Sequence, residues 1–161
     1  MNYENESYDF ERFLRAQESL FDDACRELNA GEKKGHWMWF IFPQLRGLGI
    51  SAKSFEFGIA SLSEAHAYLN HRILGPRLQK ITGIVLSVER RSALKIFGFP
   101  DNLKFCSSMT LFSYVSIGNN VFADAVNKYF AGQYDQRTTD ILKEREKSHK
   151  DETTKNSAHR R

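Results

Sequence analysis

Lys104, Ser107 and Ser108 stand at i, i+3 and i+4, a spacing that brings one ammonium and two hydroxyls to one face of a helix. Such a face can bond to phosphate or ribose oxygens, and the same pattern serves as the polar stripe of a solvent-facing helix. A second set lies upstream. His36, Trp37 and Trp39 can stack on a flat base or bond to its edge, although within an unbroken apolar run the tryptophans also read as core. Gln44 follows Pro43 and opens the loop 44–51, where Gly47, Gly49 and Ser51 suit positive φ or a close backbone approach to something bound. An amide at that mouth can read donor and acceptor atoms of a ligand or simply brace the loop. Arg77, just after Pro76, can pair with phosphate or face solvent. Glu64 opens a helix, so its carboxylate either does chemistry or complements the helix dipole. Asp101 has the same ambiguity as a helix cap.

Other chemistries find no support in the residue spacing. The five histidines, His36, His66, His71, His149 and His159, form no His-x-x-x-His pair, and Cys25 and Cys106 are far apart with no Cys-x-x-Cys, so neither a metal nor a cofactor is expected. The cysteines read as buried thiols rather than a disulfide. Gly47 and Gly49 lack the Gly-Lys-Ser/Thr ending of a phosphate loop.

The net charge of +3 is misleading as an average. Of 23 Lys/Arg and 20 Asp/Glu, residues 142–161 hold 7 and 4, which leaves 16 of each in residues 1–141. The folded part is neutral, so a nucleic-acid partner, which phosphate neutralisation would have to hold, is not expected. The first 30 residues carry acids throughout and no apolar leader core, and no stretch approaches the roughly 20 apolar residues of a membrane span. A cytoplasmic location and no membrane partner are the expectation. With 161 residues, 41% hydrophobic, 13% aromatic and 27% charged, the chain has the composition of one globular domain, and collagen-like or wholly disordered readings are excluded.

The elements that must position these residues follow from periodicity. Apolar residues on one face between Asp9 and Gly31 predict a helix over 10–29, capped by Asp9 and ended by Gly31. The run 36–43 is apolar on all sides, which fits either a short central strand or one packed helical turn. Ser63 is the expected cap of a helix through Leu69, and Pro76 the expected first residue of another that turns Leu78, Ile81, Val85 and Val88 inward. Asp101 should open a helix with Phe105, Met109 and Phe112 as its apolar stripe. Val121–Phe130 should form the next, closed by Gly132, and Asp135 should cap a short last one holding Ile141 and Leu142. From Lys143 the chain has no aromatics and too few apolar residues to offset the entropy of ordering. The fold class is therefore mainly α, a compact multihelical domain over 8–142 with at most one or two short strands, followed by a charged, disordered tail over 143–161.

The string His36-Trp37-Met38-Trp39-Phe40-Ile41-Phe42-Pro43-Gln44-Leu45-Arg46-Gly47-Leu48-Gly49, with Ser51 and Ser54, resembles the opening signature of the bacterial and fungal family called domain of unknown function 1810. Residues 64–69, 74–78, 104–112 and 132–138 resemble its later motifs, so the likeness spans about 8–142. Where that family commonly has tyrosine, this chain has Phe57. Some members carry the label calpastatin, an intrinsically disordered inhibitor, whereas this chain has a dense core. The layout is also similar, at a distance, to the superfamily that processes NAD- and ADP-ribose-derived nucleotides, some of whose members cleave N-glycosidic bonds. That resemblance implies a pocket walled by 36–51 and 101–112 for an ADP-ribose-like ligand. Were it a hydrolase, Glu64 would orient water or steady the oxocarbenium-like centre and Lys104 would serve the leaving group. His36, Trp39, Gln44, Gly47, Gly49, Ser51, Arg77, Ser107 and Ser108 would bind the ligand. A non-catalytic protein-interaction module is the alternative, and the oligomeric state is not legible.

Overall fold

The computed structural model describes residues 7–158, apart from the side chain of His149. Ten helices and no strand occur among the described residues. One isolated parallel bridge, Leu45 with Ile59, is the only extended pairing among them. The mainly α reading therefore holds, and the ambiguous run 36–43 forms a helical turn.

The first predicted helix is two: α1 (Glu11–Glu18) and α2 (Phe21–Asn29), broken at Ser19-Leu20. The buried residues Phe13, Gln17, Phe21, Ala24 and Leu28 step by four, four, three and four, the period of one continuous helix, so periodicity gives no sign of the break. Asp9 does not cap α1; Phe10 occupies that place without a side-chain cap. Gly31 does adopt positive φ, +83°, after α2.

The short α3 (Met38–Ile41) and α4 (Ala52–Glu56) flank the loop 44–51. Next come α5 (Leu62–Asn70) and α6 (Leu74–Ser87). Ser61, not Ser63, caps α5: its Oγ accepts from Glu64 N at 3.1 Å, while Glu64 Oε2 accepts from Ala60 N at 3.1 Å. The signal was Ser61-x-x-Glu64, a close relative of the capping box. Pro76 is the third residue of α6, still among the first four positions where no intrahelical N–H bond is forfeited. Leu78, Ile81, Val85 and Val88 are buried as expected.

Helix α7 (Ala93–Phe97) leads into α8 (Asp101–Val115), which packs against α5, α7, α9 (Val121–Phe130) and α10 (Gln136–Ala158). Residues 105–112 of α8 are buried without interruption. Phe105 is the aromatic hub, its ring 5.1 Å from Phe42, 4.5 Å from Phe97 and 6.2 Å from Phe130. Asp135 caps α10 through Thr138 N at 3.1 Å. The burial of α10 ends at Leu142, and every residue described from Lys143 to Ala158 is exposed. The helical backbone runs on to Ala158, further than the short last helix expected. Cys25 and Cys106 are buried free thiols, and burial pushes the Cys106 thiol up to about 11.

Glu27 pins the entry to α3. Its Oε1 accepts from Lys34 N and Gly35 N at 2.5 Å each, and Oε2 accepts from Trp37 Nε1 at 2.9 Å. Burial alone would raise its pKa, but these donors and the Lys33 ammonium outweigh it and hold the carboxyl below its usual range. The folded-state value thus lies below the unfolded one. This stabilisation is full above the unfolded carboxylate pKa, about 4.3, and is lost as pH falls through the folded value. Glu27→Gln should cost about 2 kcal/mol at neutral pH by misplacing an amide N–H against these donors, and should flatten the acid limb of stability against pH. Urea midpoints measured from pH 7 to 3 test this; an unchanged acid limb would refute it.

Candidate functional site

The stretches 36–51 and 101–112 do fold against each other. Where they meet, Met38, Trp39, Phe42, Gln44, Ser54, Phe57 and Lys104 line one cleft. Its apolar wall comes from α3 and Phe57, which the aromatic core holds through Phe13 and Phe40 at 5.8 and 5.3 Å. Its polar side comes from Gln44, Ser54 and Lys104. The free volume is about 10 Å³, on the order of one water, so no sugar fits the cleft as it stands.

Two ammoniums converge on Trp39: Lys53 Nζ lies 5.0 Å and Lys104 Nζ 5.1 Å from its ring centroid, within the range of cation–π attraction. The indole Nε1 is buried and meets no acceptor among the described residues. Asp101 at the head of α8 takes Lys33 at 2.9 Å and Lys104 at 3.6 Å. Its carboxylate is therefore shared between two lysines, and Pro100 occupies the cap position expected for it.

The glycines of the loop do different work. Gly47 has φ +105° with open space around it, the positive-φ role. At Gly49 a Cβ would stand 2.4 Å from Ser54 Oγ and 3.5 Å from Gln44 Nε2. What approaches that backbone so closely is the chain's own α4. Ser51 caps α4, its Oγ accepting from Ser54 N at 3.1 Å and lying 2.8 Å from Ser54 Oγ.

The other sequence candidates lie elsewhere. Glu64 is buried, 4% exposed, and faces Arg12 Nη2 at 2.8 Å in a separate groove shared with Asp9, Arg46 and Glu56. It is not brought to Lys104. Arg77 donates to Gln17 Oε1 at 3.4 Å and covers Phe21. His36 is exposed beside the buried Trp37. Ser107 and Ser108 do not form a solvent-facing cradle with Lys104, because α8 is buried all round at that point. Ser107 Oγ is engaged with Leu103 O and Asp135 Oδ2, each at 3.1 Å, and Ser108 is fully buried with an unpartnered Oγ. The sequence reading missed Lys53, Ser54 and Arg12. Ser51-x-x-Ser54 signals the α4 cap, but no local pattern says that α4 returns Lys53 to Trp39.

No cluster of three or more His, Cys, Asp or Glu placed to hold a metal occurs among the described residues. No described helix is long and apolar enough to cross a membrane.

Fold and site together define a small, mainly helical domain with a narrow, largely apolar cleft among α3, α4 and the head of α8, to which Gln44 is the one residue that the glycine loop contributes. The chain belongs to the DUF1810 family, described as protein of unknown function, whose model matches residues 7–142. It is similar to the conserved hypothetical protein Rv1873 from Mycobacterium tuberculosis, whose crystal structure shares 50% identity and a TM-score of 0.83, covering 85% of this chain and 98% of that one. No curated protein matches.

Proposed function

We propose that this domain binds a small phosphate-bearing ligand derived from a nucleotide, of the ADP-ribose type, at the cleft around Trp39. The observation that carries this reading is the convergence of Lys53 and Lys104 on a half-buried indole whose N–H lacks an acceptor. Phosphate oxygens are acceptors only, and two ammoniums, an indole N–H and the Gln44 amide are donors matched to them. The indole face beside those charges offers a surface for a sugar or base. Binding is favoured over N-glycosidic hydrolysis because Glu64, the carboxylate such a reaction would need, is committed to Arg12 in another groove. Gln44 is the one residue of the loop 44–51 on the cleft, so the narrowness of the cleft requires the base of that loop to move outward as ligand enters.

The test is calorimetric titration with phosphate, AMP, ADP and ADP-ribose, with adenosine as the uncharged control. The phosphate-bearing nucleotides should bind and adenosine should not. Lys53→Gln and Lys104→Gln should each weaken binding about tenfold, the weight of one charge-assisted hydrogen bond. No binding by any of them at millimolar concentration would overturn the reading.

A further inference from the structure

The loop that must move is held from 89 and 99 residues further along the chain. Arg137 Nη2 donates to Leu48 O at 3.0 Å, and Arg145 donates through Nη1 to Ala60 O at 2.6 Å and through Nη2 to Arg46 O at 3.3 Å. Both arginines belong to α10 and are exposed. The remaining walls of the cleft have little freedom. Met38, Phe40 and Ile41 of α3 are 1%, 5% and 2% exposed, and α8 from Phe105 onward is core. Between Gly47, with its positive φ, and the Ser51 cap, the loop carries only Leu48 inward, while Ile50 is fully exposed.

We infer that α10 is a strap that sets how far the cleft opens, with Arg137 and Arg145 as positioning residues for the site. The inference rests on the proposed cleft as the binding site, but the strap itself is observable without any ligand. The geometry makes it releasable. Arg46 and Ala60 sit on either side of the Leu45–Ile59 bridge, where Arg46 N donates to Ile59 O at 2.8 Å and Ile59 N to Gln44 O at 2.9 Å. Arg145 therefore closes the base of the loop and Arg137 its tip. Beyond Leu142 no described residue of α10 is buried, so the Arg145 bonds have no apolar burial behind them, whereas Arg137 stands beside the buried Thr138, Thr139 and Leu142 and holds the loop tip by one guanidinium bond. Release of Arg145 frees Arg46 O at the base of the loop, and loss of the Arg137 bond frees Leu48 O at its tip, which gives the loop the outward travel that the 10 Å³ cleft lacks.

Arg137→Ala, Arg145→Ala and the double variant of the full chain test this by two readouts. Trp37 is fully buried and Trp39 half-buried, so quenching of tryptophan fluorescence by neutral acrylamide reports chiefly on Trp39. Hydrogen exchange of amides 46–51 reports on the loop. The double variant should quench several-fold faster and exchange about tenfold faster at 46–51, with melting of the core unchanged, while Arg137→Lys restores part of the protection. Unchanged quenching and exchange in the double variant would overturn the strap. Faster exchange confined to α10 would overturn it equally. If the loop loosens but ADP-ribose and phosphate still do not bind, the binding reading fails while the strap stands.

Discussion

Arg12→Ala should destabilise the protein by about 3–5 kcal/mol, the cost of breaking a buried ion pair by removing one partner. Arg12 and Glu64 have side chains only 14% and 6% exposed, and their 2.8 Å contact joins α1 to the start of α5. The guanidinium also donates to Glu56 O at 2.7 Å, to Gly58 O at 3.2 Å and to Asp9 O, and it covers the Phe13 ring at 4.4 Å. Alanine leaves a buried carboxylate facing Ala60 N alone, besides unsatisfied carbonyls in the turn after α4. Glu64→Gln should cost less, because the amide keeps the shape and an acceptor for Arg12. The double variant Arg12→Met, Glu64→Leu should recover much of the loss, since an apolar pair of similar volume carries no desolvation penalty. Urea unfolding of the four proteins decides the matter. A loss below about 0.5 kcal/mol for Arg12→Ala would place the pair among solvent-screened surface bridges. Glu64→Gln should leave nucleotide binding at the Trp39 cleft unchanged, and its loss there would return Glu64 to the site.

Gly75→Ala should be comparably severe, about 3 kcal/mol or more. A Cβ at Gly75 would stand 2.0 Å from Leu69 O and 2.8 Å from Leu69 C. The obstacle is backbone in the last turn of α5, so it cannot swing aside as a side chain would. Relief requires separating the first turn of α6 from α5, beside a chain reversal in which Gly75 N donates to His71 O at 3.1 Å. Forced overpacking in a dense core typically costs 1–3 kcal/mol, and a backbone clash belongs at or beyond the upper end. Gly83 supplies the contrast within the same helix: nothing lies within 4 Å of its Cβ position. Gly83→Ala should therefore stabilise by about 0.5–1 kcal/mol, the ordinary helix preference for alanine. Thermal melts of both variants check the pair. Equal effects would mean that the tight approach at Gly75 is not what that glycine serves.

Much of the fold was legible because it is written in local periodicity. The helices over 121–130 and around Leu78, Ile81 and Val85, the capping of α10 by Asp135 and the turn at Gly31 all follow from interactions within a few residues along the chain. The break between α1 and α2 was not visible, because the buried residues across it, from Phe13 to Leu28, keep the period of one helix, but the true cap of α5 was, in Ser61-x-x-Glu64. The all-round burial of α8 was not, since Lys104, Ser107 and Ser108 share a helical face whether or not another helix covers it.

By itself, then, the amino-acid order determined a mainly helical domain, its neutral folded part, its aromatic centre and the two stretches that meet at the cleft. Only the tertiary structure decided which polar groups face that cleft. It drew Glu64 to Arg12 and Ser107 to Asp135, across 52 and 28 positions, and returned Lys53 to Trp39. The reason is physical. Helical periodicity and caps depend on neighbours within about one turn, whereas the partner of a buried charge or hydroxyl is chosen by whichever donor or acceptor the packed helices bring within hydrogen-bond reach.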